Sequence, residues 1–421
     1  MKKTIIQAHR PLMRKSLLLM ISVGVLVIFS SFIGRQANRP NPRRQYVVML
    51  SMDGWRWDYA QRVPTPNLDR IAKQGVKASY VIPVFPTVTF PNHYSMATGL
   101  YPGNHGIVAN NFFCPDLNLT FRLADRTTVE NPVFYGGEPI WVTAEEQGLI
   151  TASYFWVGSE APVQGIQPTF WKRFDNTVPL SAQIDTVIYW LNLPIEKRPR
   201  LITFYSHQPD SHGHDYGPDS PEVDAMLVKL DSLVGVLLDK ISLLPIANQI
   251  NLIVTSDHGM TQLSADRYVD LSQYVKRNWF ERVHGSNPLF MLKPHAGMLD
   301  SAYQILSRID NISVFRRGEV PARFHFGANP RTLDLVVLAD SNWSVGWGAP
   351  REGFSNEGAH GWDNAKKDMH TIFYAIGPAF RQNHLHQPIK VVDLYPLIAR
   401  ILRLNPAPVD GQFRRVRRML R

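Results

Sequence analysis

Cysteine is almost missing: Cys114 is the only one among 421 residues, so no disulfide can form within the chain and thiolate metal clusters are excluded. Acidic residues are absent from both ends. The first 52 residues hold nine Lys/Arg and no Asp/Glu, and 414–421 hold five Arg and no acid. Removing those fourteen from the total of 45 leaves 31 basic against 35 acidic residues between the ends. The excess charge of +10 therefore belongs to the termini, and no duplex nucleic-acid partner is expected for the body. Repeats of 20–50 residues and low-complexity tracts are also lacking. With 44% hydrophobic and 19% charged residues, the composition is that of a folded globular chain.

One long apolar run stands out. Ser16–Gly34 is uncharged and close to the length a helix needs to cross a bilayer core. Lys2, Lys3, Arg10, Arg14 and Lys15 precede it, as on a cytoplasmic flank. The expectation is a cytoplasmic basic tail (1–15), an uncleaved signal anchor (16–34), a Pro-rich linker (35–44) and an exported body. The simple layout favours the periplasmic face of a bacterial inner membrane. A cleaved signal peptide, giving a periplasmic or secreted protein, is the competing reading.

Within the body, β-branched and aromatic runs alternate with helical patterns, which predicts an α/β fold with a mostly parallel sheet. Strands are expected at Tyr46–Ser51, Thr151–Trp156, Leu201–Tyr205, Asn251–Thr255, Leu333–Leu338 and Thr371–Ala375. Pro66–Gln74 reads as a helix with Thr65 as N-cap and Gly75 at its end, and Asp219–Leu243 as a longer helix. Metal-type ligands follow three of these strands: Asp53, then Asp210 with His214, then Asp257 with His258. Carboxyl ends of parallel strands are where α/β folds bind ligands. With His360, these residues supply three carboxylates and three imidazoles. That suffices for two three-ligand sites suited to Zn²⁺ or Mn²⁺. Two such ions clamp the attacking and leaving oxygens of an in-line phosphoryl displacement. Each piece alone has a commonplace reading as a turn, cap or loop residue. Thr89 sits at the start of a short helical segment closed by Gly99, where backbone N–H groups and the helix dipole favour an anion.

Taken in order, these motifs resemble the nucleotide pyrophosphatase/phosphodiesterase family of the alkaline phosphatase superfamily. The resemblance runs from about Tyr46 to Gln412. It rests on Asp53-Gly54, Thr89-Phe90-Pro91-Asn92-His93-Tyr94, Tyr101-Pro102 with His105-Gly106-Ile107, Gly137 to Ala144, Pro209-Asp210 to His214, Thr255 to Met260, and His360-Gly361. It implies an alkaline-phosphatase-like central sheet flanked by helices, a catalytic domain over 45–412, and a smaller cap within about 259–359. It also implies two divalent ions, Zn²⁺ foremost. Asp210, His214 and His360 would hold one. Asp53, Asp257 and His258 would hold the other, together with the nucleophile Thr89. Asn110 is implied as donor to a phosphate oxygen, Phe90 and Phe174 as a nucleobase sandwich, and Tyr205 as a wall of the nucleoside pocket. A lysine found in some members after the equivalent of Asn110 has no counterpart near Thr127–Val129, which removes the basis for expecting a triphosphate preference.

The implied activity is cleavage of nucleotide phosphodiester or pyrophosphate bonds to nucleoside 5′-monophosphates through a phospho-threonine. Phospholipase-C-like cleavage of choline or ethanolamine phosphodiesters is an alternative, and a membrane-anchored binding protein with an inactive site is another. His93, His105, His207, His284 and His295 are read as structural, His212 as surface, and 413–421 as a basic, solvated tail.

Overall fold

A computed structural model describes residues 44–421, of which Gln45–Arg421 form a compact unit. The anchor and tail expected before residue 35, and most of the linker, lie outside the described residues. Among the described residues no helix is long and apolar enough to cross a membrane.

Eight strands make the central sheet. Their order is His384–His386, Val76–Ala78, Phe373–Ile376, Ile250–Thr255, Tyr46–Met52, Leu201–Ser206, Thr151–Tyr154 and Phe170–Lys172. All neighbouring pairs are parallel except the two made by Phe373–Ile376, which runs against its neighbours. Tyr46–Met52 shows why the sheet is covered on both faces: every residue of it is buried. Val47 and Met49 join one apolar core, while Tyr46, Val48, Leu50 and Met52 join another. A strand feeding two cores reads as continuous hydrophobicity without alternation.

Two strand ends depart from the sequence reading. Thr151–Trp156 stops at Tyr154, because Phe155 takes φ = 71° and leaves the ladder. Thr371 is not in the strand starting at Phe373; it bridges Val81 and Arg56 and sends its hydroxyl to the Trp55 carbonyl. The segment 259–359 carries a separate antiparallel sheet, ordered Phe280–Ser286, Leu289–Pro294, Leu335–Ala339, Ile312–Arg316, with its own apolar cluster.

Two local expectations need correcting. Pro66–Gln74 is a helix, but Thr65 does not cap it with its side chain. Asp231, from the Pro221–Ser242 helix, does so instead, accepting from the N–H groups of Asn67 (3.1 Å) and Leu68 (2.9 Å). Gly75 ends that helix because of a close approach and not a left-handed turn: a Cβ there would lie 2.1 Å from the Ala375 carbonyl oxygen. The second correction concerns 413–421, which is not a free tail. Val416 and Met419 are fully buried, Arg415 pairs with the buried Asp393 at 2.6 Å, and Arg421 donates to the Ala379 carbonyl. The spacing of Val416 and Met419 places both on one side of a helical turn, which docks on the core.

Asp231→Ala is expected to destabilise the protein by about 2 kcal/mol, since it strips acceptors from two helix-end N–H groups in a buried setting. Thr65→Ala should cost far less. Urea unfolding of the two variants checks the order; equal losses would return the capping role to Thr65.

Candidate functional site

Tyr46–Met52 lies between Leu201–Ser206 and Ile250–Thr255, with Ser51 level with both Tyr205 and Thr255. Three adjacent strands therefore end at one height, and the chain leaves each as ligand-bearing loop or helix. The exits are tied together: Asp210 N–H donates to the Asp53 carbonyl (3.0 Å), and Gly54 N–H to Asp257 Oδ1 (3.2 Å). Gly54 has φ = 71°, and a Cβ on it would come within 2.9 Å of the Asp210 Cα. Only glycine allows the two exits to close up.

Two three-residue sets result, the donor atoms of each lying within 4.8 Å of one another: Asp53, Asp257 and His258, and Asp210, His214 and His360. In the first, His258 Nε2 is 3.2 Å from Asp53 Oδ1, 3.2 Å from Asp257 Oδ2 and 3.3 Å from Thr89 Oγ1. In the second, His214 and His360 bring their Nε2 atoms to 3.2 Å, with Asp210 oxygens at 3.5 and 3.6 Å. Asp210 and His214 share a helix face by their spacing of four. The rings of His258 and His360 stack at 3.6 Å, so the sets adjoin.

The donor groups fit metal ions. All three imidazoles spend Nδ1–H on a backbone carbonyl: His214 on Gly358, His258 on Gly259 and His360 on Thr87. That turns each Nε2 inward, a ligand atom once it carries no proton. Each aspartate keeps one buried oxygen without a hydrogen bond: Asp53 Oδ1, Asp257 Oδ2 and Asp210 Oδ1. Buried orphan acceptors of this kind are costly unless a cation completes them. The electrostatics agree. Burial, with Asp53 and Asp257 nearby, raises Asp210 to about 7 despite His214. Burial opposes the charge of His258, but Asp257 and Asp53 together push it up to about 10. Burial and the neighbouring His258 and His214 hold His360 far below its ordinary value.

Thr89 opens the Thr89–Thr98 helix. The anion-binding N–H groups expected there are fewer than the sequence suggests: Phe90 N–H donates to Asn110 Oδ1 at 2.9 Å, and Pro91 has none. This bond orients the Asn110 amide so that its Nδ2 hydrogens are left for a ligand. Beside Thr89 lies a cleft of about 310 Å³ walled by Phe90, Phe155, Phe174 and Tyr205. Phe174 is 38% exposed, and its ring sits 6.1 Å from that of Tyr205. Tyr205 does more than line this cleft, because its hydroxyl donates to Asp53 Oδ2.

Several participants escaped the sequence reading. His93, read as structural, is fully buried behind the first set; its Nδ1 is 3.3 Å from Asp257 Oδ2 and 3.0 Å from the Thr89 carbonyl. Its place four residues after Thr89 on one helix is the signal that would have found it. His207 also lines the cleft, as do Arg126 and Glu160, which pair with each other. Arg126 is thus a cation in the cleft after Asn110, one position before the stretch searched for a lysine, but Glu160 compensates it. His212 bonds Gln208 and stays out of both sets.

Comparison with known proteins places these features in context. The model of the type I phosphodiesterase / nucleotide pyrophosphatase family matches residues 47–363. Human ectonucleotide pyrophosphatase/phosphodiesterase family member 5 is 35% identical over 384 residues, covering 90% of this chain and 79% of the relative. The mouse family member 7 is 36% identical over 397 residues, covering 91% and 89%. Venom phosphodiesterase CdcPDE of Crotalus durissus collilineatus is 35% identical, with 87% of this chain matching 45% of that longer protein. Among solved structures, murine ectonucleotide pyrophosphatase/phosphodiesterase 5, an inactive threonine-to-alanine variant in complex with AMP, superimposes with a TM-score of 0.85 at 35% identity, covering 90% of this chain and all of that one.

Because Asp210 holds its proton up to about pH 7 when no cation is bound, metal must displace that proton on acidification. Zn²⁺ affinity at the Asp210–His214–His360 set is expected to weaken by about tenfold per pH unit below about 7. Calorimetric Zn²⁺ titrations of metal-depleted protein at about pH 6 and 8 check this, and equal affinities would contradict it.

Proposed function

The chain belongs to the type I phosphodiesterase / nucleotide pyrophosphatase family, a family of phosphodiester hydrolases on an alkaline-phosphatase-like fold, and we propose that its substrates are nucleotides with phosphodiester or pyrophosphate bonds. The products are nucleoside 5′-monophosphates, released through a phospho-threonine at Thr89. One observation carries this reading: Thr89 Oγ1 stands 3.3 Å from His258 Nε2, at the edge of two adjoining Asp/His sets, with an aromatic cleft beside it.

Two divalent ions, Zn²⁺ by the donor chemistry, would supply charge stabilisation for both apical oxygens of an in-line displacement. Asp53, Asp257 and His258 are the residues to hold one, and Asp210, His214 and His360 the other. The chain's own part is positioning. The first turn of its helix presents Thr89 to phosphorus, and the Asn110 Nδ2 group donates to a non-bridging oxygen. Tyr205 holds Asp53 through Oδ2, and His93 backs Asp257, its Nδ1 3.3 Å from Oδ2. Thr89 forms a P–O bond as the leaving-group oxygen departs; water then attacks in line and restores the threonine hydroxyl.

The neutral Asn110 suits the single negative charge of a diester, and the segment around Thr89 offers Val88 and Phe90 with no arginine for a monoester's extra charge. Phe90 and Phe174 are suited to grip a base, in keeping with the AMP bound by the murine relative. A choline headgroup fits less well: of the acids lining the cleft, Asp53 and Asp210 belong to the Asp/His sets, and Glu160 is already neutralised by Arg126. A quaternary ammonium calls for uncompensated negative charge and aromatic faces. We further propose that Ser16–Gly34 directs the body across a membrane; carbonate-resistant membrane association, with the body open to external protease, checks it.

Thr89→Ala is expected to lower kcat by at least about 10³-fold with metal content and fold intact, whereas Thr89→Ser retains measurable turnover. Turnover of Thr89→Ala at the wild-type rate would return Thr89 to a helix-end role. Phe174→Ala is expected to raise KM for nucleotide diesters about tenfold, from a stacking loss of about 1–3 kcal/mol, while sparing bis-p-nitrophenyl phosphate. Equal effects on both substrates would contradict the base-stacking role.

A further inference from the structure

A second cleft, also of about 310 Å³, adjoins the aromatic one and shares Asn110, Leu123, His214 and His360 with it. A phosphorus held at Thr89 therefore faces both clefts. The second has neutral polar walls from Asn111, Ser286 and Asn287. Two hairpins build them: Asn111–Cys114 with Leu119–Arg122, and Phe280–Ser286 with Leu289–Pro294.

Both hairpins that wall this cleft also carry basic residues: Arg122 on one, Arg282 and His284 on the other. Arg122 stands directly opposite Asn111 in the antiparallel register, and directly opposed residues project from the same face. Arg282 and His284 precede Ser286 by four and two residues, so strand alternation puts all three on one face. The Arg282 guanidinium lies 4.5 Å from the centre of the Phe113 ring, on which His284 also stacks at 6.2 Å. The two hairpins thus meet through Phe113. Glu281, at the bulge beside Arg282, is engaged with Lys293, which stands opposite Arg282. Among the described residues neither Arg122 nor Arg282 forms an ion pair, and Arg282 Nε is buried without a hydrogen-bond partner. Burial, and then the charges of Arg282, Arg122 and Arg277, hold His284 below its ordinary value.

We propose that this second cleft receives the departing half of the substrate, and that Arg122 and Arg282 select leaving groups that carry phosphate. The chemical class is a nucleoside phosphate or inorganic pyrophosphate leaving from a phosphoanhydride. This rests on Thr89 as nucleophile and on the aromatic cleft as the nucleoside site. In the step, Thr89 Oγ bonds to phosphorus and its proton passes to water. The bridging P–O bond breaks, and its electron pair leaves with the departing phosphate. Guanidinium groups compensate the added phosphate charge of such a departing half, which a phenolate or alkoxide leaving group does not carry.

The test uses the full, Zn²⁺-replete protein with two substrates: diadenosine triphosphate, whose departing half carries phosphate, and the p-nitrophenyl ester of thymidine 5′-monophosphate, whose departing half does not. In the double variant Arg122→Gln/Arg282→Gln, the ratio of kcat/KM for the first over the second is expected to fall about tenfold. The Arg122→Lys/Arg282→Lys variant should recover most of that ratio by restoring charge. An unchanged ratio, whether both activities persist or both fall in parallel, would overturn the proposal. Wild-type protein that turns over neither substrate would instead sink the nucleotide-hydrolase reading beneath it. Normal turnover of the nitrophenyl ester with an unmoved ratio would sink this inference alone.

Discussion

Three carboxylates, Asp53, Asp210 and Asp257, are held together at the ends of three adjacent strands with an unpartnered buried oxygen on each. Charges of one sign at such separations, out of water, repel strongly. Among the described residues no Lys or Arg pairs with these oxygens. Imidazoles face them instead: those of His258, His214 and His360 as candidate ligands, and that of His93 with its Nδ1 3.3 Å from Asp257 Oδ2. The fold around the site makes sense as a scaffold that stores this unfavourable cluster until cations complete it. The sheet is covered on both faces by apolar cores, so the cluster forms on a framework rigid enough to tolerate it.

Orientation comes from backbone carbonyls. Gly358, Gly259 and Thr87 each take the Nδ1 hydrogen of one ligand histidine, which turns Nε2 inward whatever the side chain's own preference. Two of those carbonyls belong to segments far from the histidine in sequence. The His214 contact in particular joins the Asp210–Tyr216 helix to the segment that carries His360. Tyr205 and His93 act one step further out, on the aspartates. Activity lost through His93 substitution would therefore reflect misplacement of Asp257, which makes His93 a positioning residue.

Much of this was legible in the sequence because it follows from local rules. Buried parallel strands read as unbroken apolar runs, and ligand residues just past three of them had to converge if those strands were neighbours. What stayed hidden depends on pairs that are distant in the chain. Asp231 caps a helix that begins at residue 66, and nothing near Thr65 announces it. Arg126 and Glu160 neutralise each other across a loop, so neither declares itself as part of a cleft. Arg415 and Asp393 turn an apparent basic tail into a docked segment. Phe155 ends its strand in a left-handed conformation that β-propensity argues against, since tertiary packing around the cleft overrides the local preference.

The central claim is that Thr89 becomes covalently phosphorylated between two in-line displacements. The stereochemical course at phosphorus tests it most directly. A nucleotide diester made chiral at phosphorus with sulfur and heavy-oxygen labels is hydrolysed in labelled water, and the configuration of the product is determined. Two successive inversions predict net retention. Net inversion would mean that water attacks the substrate directly, and would contradict the phospho-threonine account.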